Sequence, residues 1–168
     1  MRTFLRILTA TMLIMPIMHE PAEGASSHAT AGGTYLLGGI RTEFQLSEAH
    51  VQCKIAHGTF PDGTLIQMYM ESKTINSVTI DSSAKTVVIS GTMVSETRLR
   101  FTDGTSTTLT ETVPFVVMAK DNATPGAGAD TFSITVIYTN TPGFDQFDLF
   151  GSPATFAGTL ESGDVDVR

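Results

Sequence analysis

The sequence is poor in cysteine, tryptophan and basic residues, and these shortages narrow the possible functions. Cys53 is the only cysteine among 168 residues, so no disulfide can form within the chain. A lone cysteine in a strand-like segment is typical of a small buried apolar residue, and a nucleophile or intermolecular bridge is the alternative. Ten basic residues stand against seventeen acidic ones, giving a formal charge of −7. No basic stripe is present, so nucleic acid and anionic membrane surfaces are disfavoured as partners.

The sequence also lacks the short motifs that mark common enzyme and cofactor sites. It has no G-x-S-x-G segment, no phosphate loop and no dinucleotide fingerprint, so no cofactor is expected. A glycosidase would need two carboxylates at a defined separation. The spacing selects no pair among Glu43, Glu71, Glu96 and Glu111. The balance is against an enzyme, and the sequence identifies no catalytic residue.

The N-terminal region has the layout of a secretory signal peptide. Arg2 and Arg6 precede an uncharged apolar run at 7–18, which is too short to span a bilayer comfortably. Pro16 inside the run argues against the alternative, a retained anchor helix. Small residues permit cleavage after Gly24, Ala29 or Ala31.

We therefore predict a secreted protein, extracellular or periplasmic, that does not contact a membrane after signal removal. Its predicted organisation is a signal peptide at 1–24, a flexible segment at 25–33 and one antiparallel β domain at 34–168. A domain of about 140 residues can bury its own core. An exported domain without disulfides suits a bacterial host.

Runs of alternating apolar and polar residues predict an antiparallel all-β domain of about nine or ten strands. In the clearest run, Phe132, Ile134, Val136 and Tyr138 share one face, while Thr131, Ser133 and Thr135 share the other. Successive hairpins suggest a meander. An up-and-down barrel is favoured, with a two-sheet sandwich as the alternative, because closure removes exposed strand edges.

One segment, SEAHVQCKIAHG at 47–58, could form either a helix or a strand. On a helix His50, Cys53 and His57 would share a face, where they could ligate a metal or form a nucleophile pair. On a strand His50 points away from the other two. We favour the strand, which leaves surface histidines and a buried cysteine.

The loop after residue 120 is the other candidate site. Asp121 and Asp130 could offer oxygen ligands to calcium, but their spacing does not match the alternating acidic calcium loop. In the alternative interpretation these residues bond to local backbone, and Pro125 with Gly126 makes the turn.

Several segments, taken in order, resemble a family of exported bacterial domains. They are GGTYLLGG (32–39), TEFQLS (42–47), AHGTFPDGT (56–64), INSVTI (75–80), VVISGT (87–92), VMAKDNATPGAGADTFSITV (117–136) and ESGDVDVR (161–168). The family is the post-COAP type domain, associated with choice-of-anchor P proteins, with related secreted proteins. The resemblance implies an all-β domain without established activity. Asp121, Pro125, Gly126, Asp130 and Phe132 match the family's loop motif, to which no catalytic role attaches.

Three functions remain open. The first is a non-catalytic domain that is structural or binds an extracellular partner. The second is a barrel that holds a small apolar ligand among inward-facing Met, Phe and Tyr side chains. The third is a cyclase or isomerase acting inside such a barrel, which would need an inward ionisable group. Glu71, His57 and Tyr69 are the first candidates for that group.

Overall fold

The chain forms a closed eight-stranded antiparallel barrel in a computed structural model that describes residues 27–122 and 128–168. The elements are β1 (Ala29–Leu37), β2 (Ile40–Ser47), β3 (His50–Thr59), β4 (Leu65–Asp81), β5 (Thr86–Arg100), β6 (Ser106–Lys120), β7 (Thr131–Val136), α1 (Gln146–Phe150) and β8 (Ala154–Val167). Each strand pairs with the next, and β8 closes the barrel against β1. This confirms the predicted all-β barrel and excludes the sandwich. The predicted signal peptide, Pro125, Gly126 and the side chain of His57 lie outside the described residues.

Eight strands replace the predicted nine or ten because two pairs of predicted strands are continuous. Alternation predicts separate strands at 64–72 and 76–80, but apart from Thr64 both runs belong to β4. The register of β4 against β5 shifts between Ser72 and Thr74 and again between Ile75 and Ser77. Such irregularities bend a strand without ending its ladder. The runs at 86–94 and 98–101, also predicted as separate strands, similarly belong to β5, except for Phe101, which follows the strand.

The first strand begins earlier than the sequence indicates. β1 starts at Ala29, so residues 29–33, expected to be flexible, pair with β8, and residues 30–33 also pair with β2. The small residues that suggest flexibility instead permit close packing. A Cβ atom added at Gly33 would lie 2.2 Å from the carbonyl oxygen of Ser162, so this approach of β8 requires glycine.

Inward-facing side chains fill the barrel. Phe132, Ile134, Val136 and Tyr138 are all buried, as their alternation predicts. The rings of Phe44 and Phe132 stack with centroids 3.9 Å apart. The segment 50–59 is the strand β3, with Cys53 buried inside and His50 on the opposite face. The strand interpretation of this segment is therefore confirmed.

The meander gives the barrel two different ends. The helix end carries the turns at 38–39, 60–64 and 101–105, together with the connection at 137–153 that contains α1. The opposite end carries the connections at 48–49, 82–85 and 121–130, the start of β1 and the end of β8. Because the two ends are built from different connections, they can serve different roles.

Candidate functional site

Two turns at the helix end share a sequence pattern and a set of hydrogen bonds. Residues 60–64 and 101–105 both read Phe-x-Asp-Gly-Thr. In each turn the glycine N–H donates to the phenylalanine carbonyl, at 2.9 and 3.0 Å, and the threonine N–H donates to the aspartate carboxylate at 2.9 Å. Phe60 and Phe101 therefore occupy equivalent positions in two neighbouring hairpins.

The short helix α1 is fixed between these turns and the barrel interior. Asp145 caps its first turn, with its carboxylate accepting from the N–H of Asp148 and the Asp148 side chain accepting in return. Gln146 is only 1% exposed. Its Nε2 donates to the carbonyl oxygens of Ser95 and Leu109, both at 2.9 Å. These bonds anchor the helix to β5 and β6.

An apolar cleft of about 500 Å³ lies between the twin turns and α1. Its apolar lining consists of Phe60, Pro61, Leu99, Phe101, Phe144 and Leu149, with Asp62 and Thr64 as its polar members. Phe144 is 54% exposed although it is a large aromatic side chain. Small-molecule sites have volumes of about 300–1,000 Å³, are mainly apolar and often lie in the mouths of β-barrels. The cleft has these properties.

Buried polar atoms lie one layer below the cleft. Thr97 precedes the cleft residue Leu99 by two positions on the inward face of β5, so it lies about 7 Å deeper along the strand. Among the described residues, its hydroxyl and the Oε1 atom of Gln146 have no hydrogen-bond partner. Deeper still, the hydroxyls of Ser95 and Tyr138 lie 3.0 Å apart. Burial raises the pKa of Tyr138 to about 12.

Burial keeps the Cys53 thiol and the Tyr35 hydroxyl, both inside the barrel, in their protonated forms. Burial raises the pKa of the Cys53 thiol to about 12. Burial, and secondarily the neighbouring Cys53, raises the pKa of Tyr35 well above its usual value. A thiolate is the reactive form of cysteine, so Cys53 is a poor nucleophile at neutral pH.

Two side chains considered for chemistry inside the barrel lie on its outer wall. Tyr69 donates to the Oε2 atom of Glu71 at 3.1 Å and accepts from Gln52. Neither Tyr69 nor Glu71 therefore supplies the inward ionisable group that the enzyme hypothesis needs. The third candidate, His57, has a side chain outside the described residues.

Glu43, Glu96 and Glu111 are not buried, and each has a neighbouring partner. Glu43 lies beside Arg41 and Glu96 beside Arg98, while Glu111 accepts from the N–H of Thr139 at 2.9 Å. Each of these three carboxylates therefore has a different neighbour, and the described residues do not bring them together as a catalytic pair.

Asp130 and Asp121 occupy different environments at the opposite end. Asp130 is fully buried, and its carboxylate accepts from the N–H groups of Asn122 and Val165, both at 2.9 Å. Asp121 is half-buried, and its N–H donates to the carbonyl of Lys85 at 3.0 Å. Calcium binding by this pair stays a prediction. Within 27–122 and 128–168, no three His, Cys, Asp or Glu side chains form a group that could hold a metal ion.

One repeated segment of the sequence points to the cleft, although strand alternation alone does not. The repeated Phe-x-Asp-Gly-Thr segment marks two turns of one kind, and two such turns at the same end bring their phenylalanines together. Phe144 and Leu149 lie in an irregular connection and a five-residue helix, so alternation could not assign their faces.

Comparison with protein-family models finds no match for this chain, and comparisons with curated proteins and with solved structures find none either. In the part of the chain that the structure describes, no helix has the length and apolar character needed to cross a membrane.

Proposed function

We propose that this chain is an exported, non-catalytic binding domain that takes a small apolar molecule into the cleft at the helix end. The observation that carries the proposal is an apolar cleft of about 500 Å³ whose rim includes a phenylalanine that is 54% exposed. Contiguous exposed apolar surface, unlike single scattered apolar residues, marks interaction sites and ligand-binding grooves. The ligand class follows from the six apolar residues that line the cleft.

The packed barrel interior supports a binding site at the mouth rather than along the axis. Met68, Met70 and Phe115, whose sequence segments suggested a lined cavity, are at most 2% exposed and belong to the continuous core. A filled core is a rigid scaffold, because close-packed side chains resist deformation. The cleft lies above this core.

The electrostatics support binding without catalysis. The interior thiol of Cys53 and hydroxyl of Tyr138 have raised pKa values, so neither acts as a base near neutral pH. The side chains in the cleft are apolar except for Asp62 and Thr64. These two are already bonded to each other, at 3.0 Å between the Thr64 hydroxyl and the Asp62 carboxylate.

Export is part of the proposal and rests on the N-terminal layout and on the resemblance to post-COAP type domains. The strand β1 favours one cleavage position. Ala29 pairs with Val167 and Ala31 with Val165, so cleavage after Ala29 or Ala31 would remove part of the β1–β8 seam. Cleavage after Gly24 would leave β1 whole, and N-terminal sequencing of the secreted protein tests this choice.

The ligand proposal is tested by titration with N-phenyl-1-naphthylamine, an apolar probe that fluoresces when it leaves water. The wild-type protein should bind the probe, and Phe144→Ser should weaken binding about fivefold to thirtyfold, since one ring contributes about 1–2 kcal/mol of apolar contact. Phe144 is exposed, so the urea midpoint should stay within error of wild type.

Met118→Ser is the matched control, because Met118 is 51% exposed on the outer wall. It should leave probe binding unchanged. A wild-type protein that fails to bind the probe, or equal weakening by both substitutions, would show that the cleft is not an apolar ligand site.

A further inference from the structure

The outer wall of β1 to β5 carries a polar groove that the cleft does not involve. Its volume is about 700 Å³. A second recess of about 350 Å³ adjoins it, and both recesses are bordered by Lys54 and Tyr69. Gly32, which pairs with the exposed Gln45, lies along the first recess, where the absence of a side chain keeps its floor low.

Strand register aligns polar side chains along this groove. Thr34 lies opposite Glu43, Glu43 opposite Lys54, Lys54 opposite Tyr69, and Tyr69 opposite Glu96. This polar row crosses five strands, so it extends over about 19 Å at a strand spacing of about 4.8 Å. The row runs perpendicular to the strands and offers hydrogen-bonding groups at every step.

The groove has one cationic group without a carboxylate partner. Arg41 lies 3.9 Å from Glu43, and Arg98 lies 2.7 Å from Glu96. Among the described residues, no carboxylate forms a salt bridge with Lys54, which lies between these two pairs. The groove thus has three cationic and two anionic lining residues in a chain of formal charge −7. An acidic group on a ligand would complement it.

The central aromatic residue is held in position before any ligand binds. The Tyr69 hydroxyl accepts from Gln52 and donates to Glu71, so hydrogen bonds fix its ring between Lys54 and Glu96. Preorganised side chains lose little entropy on binding. A half-buried Tyr can present an apolar ring face and a polar edge to the same ligand.

We propose that the polar row binds an acidic oligosaccharide. Protein interfaces usually have an apolar core. The groove instead offers Gln45, Gln52, Tyr69 and charged groups, with no exposed aliphatic side chain in its lining. Hydroxyl-rich sugars suit these donors and acceptors, Tyr69 provides a surface for a ring, and Lys54 pairs with a sugar carboxylate. This site is independent of the apolar cleft.

Calorimetric titration with pentagalacturonate tests the proposal, with cellopentaose as the neutral probe. Wild type should bind the acidic pentamer about tenfold more tightly. Lys54→Gln should weaken binding of pentagalacturonate about fivefold and remove most of that preference. Tyr69→Ala should weaken binding of both sugars about tenfold or more, and Tyr69→Phe should have a smaller effect because the ring remains.

Lys120→Gln is the matched control, because Lys120 is an exposed lysine at the far end of β6. It should bind both sugars as tightly as wild type does.

A pentaglutamate peptide that binds as tightly as pentagalacturonate would overturn the proposal, since the groove would then recognise negative charge and not the sugar. Binding that is insensitive to Lys54→Gln would also overturn it. Binding of N-phenyl-1-naphthylamine should be unaffected by Lys54→Gln, so failure at one site is distinguishable from failure at the other.

Discussion

In the part of the chain that the structure describes, a buried polar side chain at each end of the barrel bonds to backbone groups of two residues, but the two side chains connect different elements. At the opposite end the Asp130 carboxylate accepts from the N–H groups of Asn122 and Val165. At the helix end the Gln146 amide donates to the carbonyls of Ser95 and Leu109. The first joins the end of β6 to β8, whereas the second attaches a five-residue helix to the barrel wall.

The two ends also differ in the kind of hydrogen bonding that holds them together. A carboxylate forms stronger hydrogen bonds than a neutral amide. Further bonds reinforce the opposite end, including the one from the Lys85 ammonium to the carbonyl of Val167 at 2.7 Å. The helix end has instead an apolar cleft with an exposed phenylalanine at its rim. The proposed ligand site thus lies at the end away from the buried carboxylate of Asp130.

Removing the carboxylate at the opposite end should have the largest effect on stability. Asp130→Ala would leave two N–H groups without their acceptor, so we expect the free energy of unfolding to fall by about 2–5 kcal/mol. Urea denaturation followed by circular dichroism measures the change. Asp121→Ala is the control, and because Asp121 is only half-buried it should change the value by less than about 0.5 kcal/mol.

Equal effects of the two substitutions would contradict the structural role given to Asp130. The same pair of variants tests the calcium prediction. Stabilisation of the wild type by added Ca²⁺, lost in both variants, would support a shared metal site. A wild type whose stability does not depend on Ca²⁺ would leave Asp130 as a hydrogen-bond acceptor alone.

Removing the amide at the helix end should have a smaller and more local effect. Gln146→Met keeps the side-chain volume but loses both bonds to the barrel, so we expect a cost of about 1 kcal/mol. Detachment of α1 should also weaken probe binding in the cleft and expose the connection at 137–153 to proteases. Gln45→Met, at an exposed position of the outer wall, is the control.

Undiminished probe binding in Gln146→Met would show that α1 does not shape the cleft. A loss of stability as large as that of Asp130→Ala would contradict the proposed difference between the two ends.

The sequence predicted the regular part of this fold and little of its ends. Alternation is a local pattern, so the inward faces around Phe132 and the strand at 50–59 could be assigned without tertiary information. β4 continues through two register shifts because it stays paired with β5 on both sides of them. The residue pattern of β4 alone contains no information about that pairing. The pairing of residues 29–33 depends equally on β8, which lies at the other end of the chain.

The candidate sites were harder to predict because they combine residues from distant segments. The polar row depends on the register of five strands, and each of its residues alone is an ordinary outward-facing strand position. The cleft depends on where α1 sits, and Gln146 fixes that position through residues 51 and 37 positions away. Asp130 was identified from the sequence, but its bond to Val165 could not be, since that contact forms only when β8 closes the barrel.

Protonation of the turn aspartates by acid should change the stability of the protein less than either substitution above. Hydrogen bonds from neighbouring threonines lower the pKa values of Asp62, Asp103 and Asp145 at the helix end, and bonds from Ser83 and Ala84 lower that of Asp81 at the opposite end. A lowered pKa means that the folded state favours the ionised carboxylate. The resulting stabilisation is complete above the unfolded-state value of 3.8 and is lost as pH falls through the lower folded-state pKa.

The urea midpoint of the wild type should therefore fall between about pH 5 and pH 2. The double variant Asp62→Asn/Asp103→Asn should have a lower midpoint than wild type at pH 5 and should converge with it at pH 2, because the wild-type groups are then protonated. Asp81→Asn should show the same convergence with a smaller difference in urea midpoint, since it alters one turn instead of two.

All these carboxylates are exposed, so solvent screening keeps the contribution of each to stability small. A difference between wild type and the double variant that persists unchanged at pH 2 would mean that the twin turns are held by their backbone bonds and not by ionised aspartates.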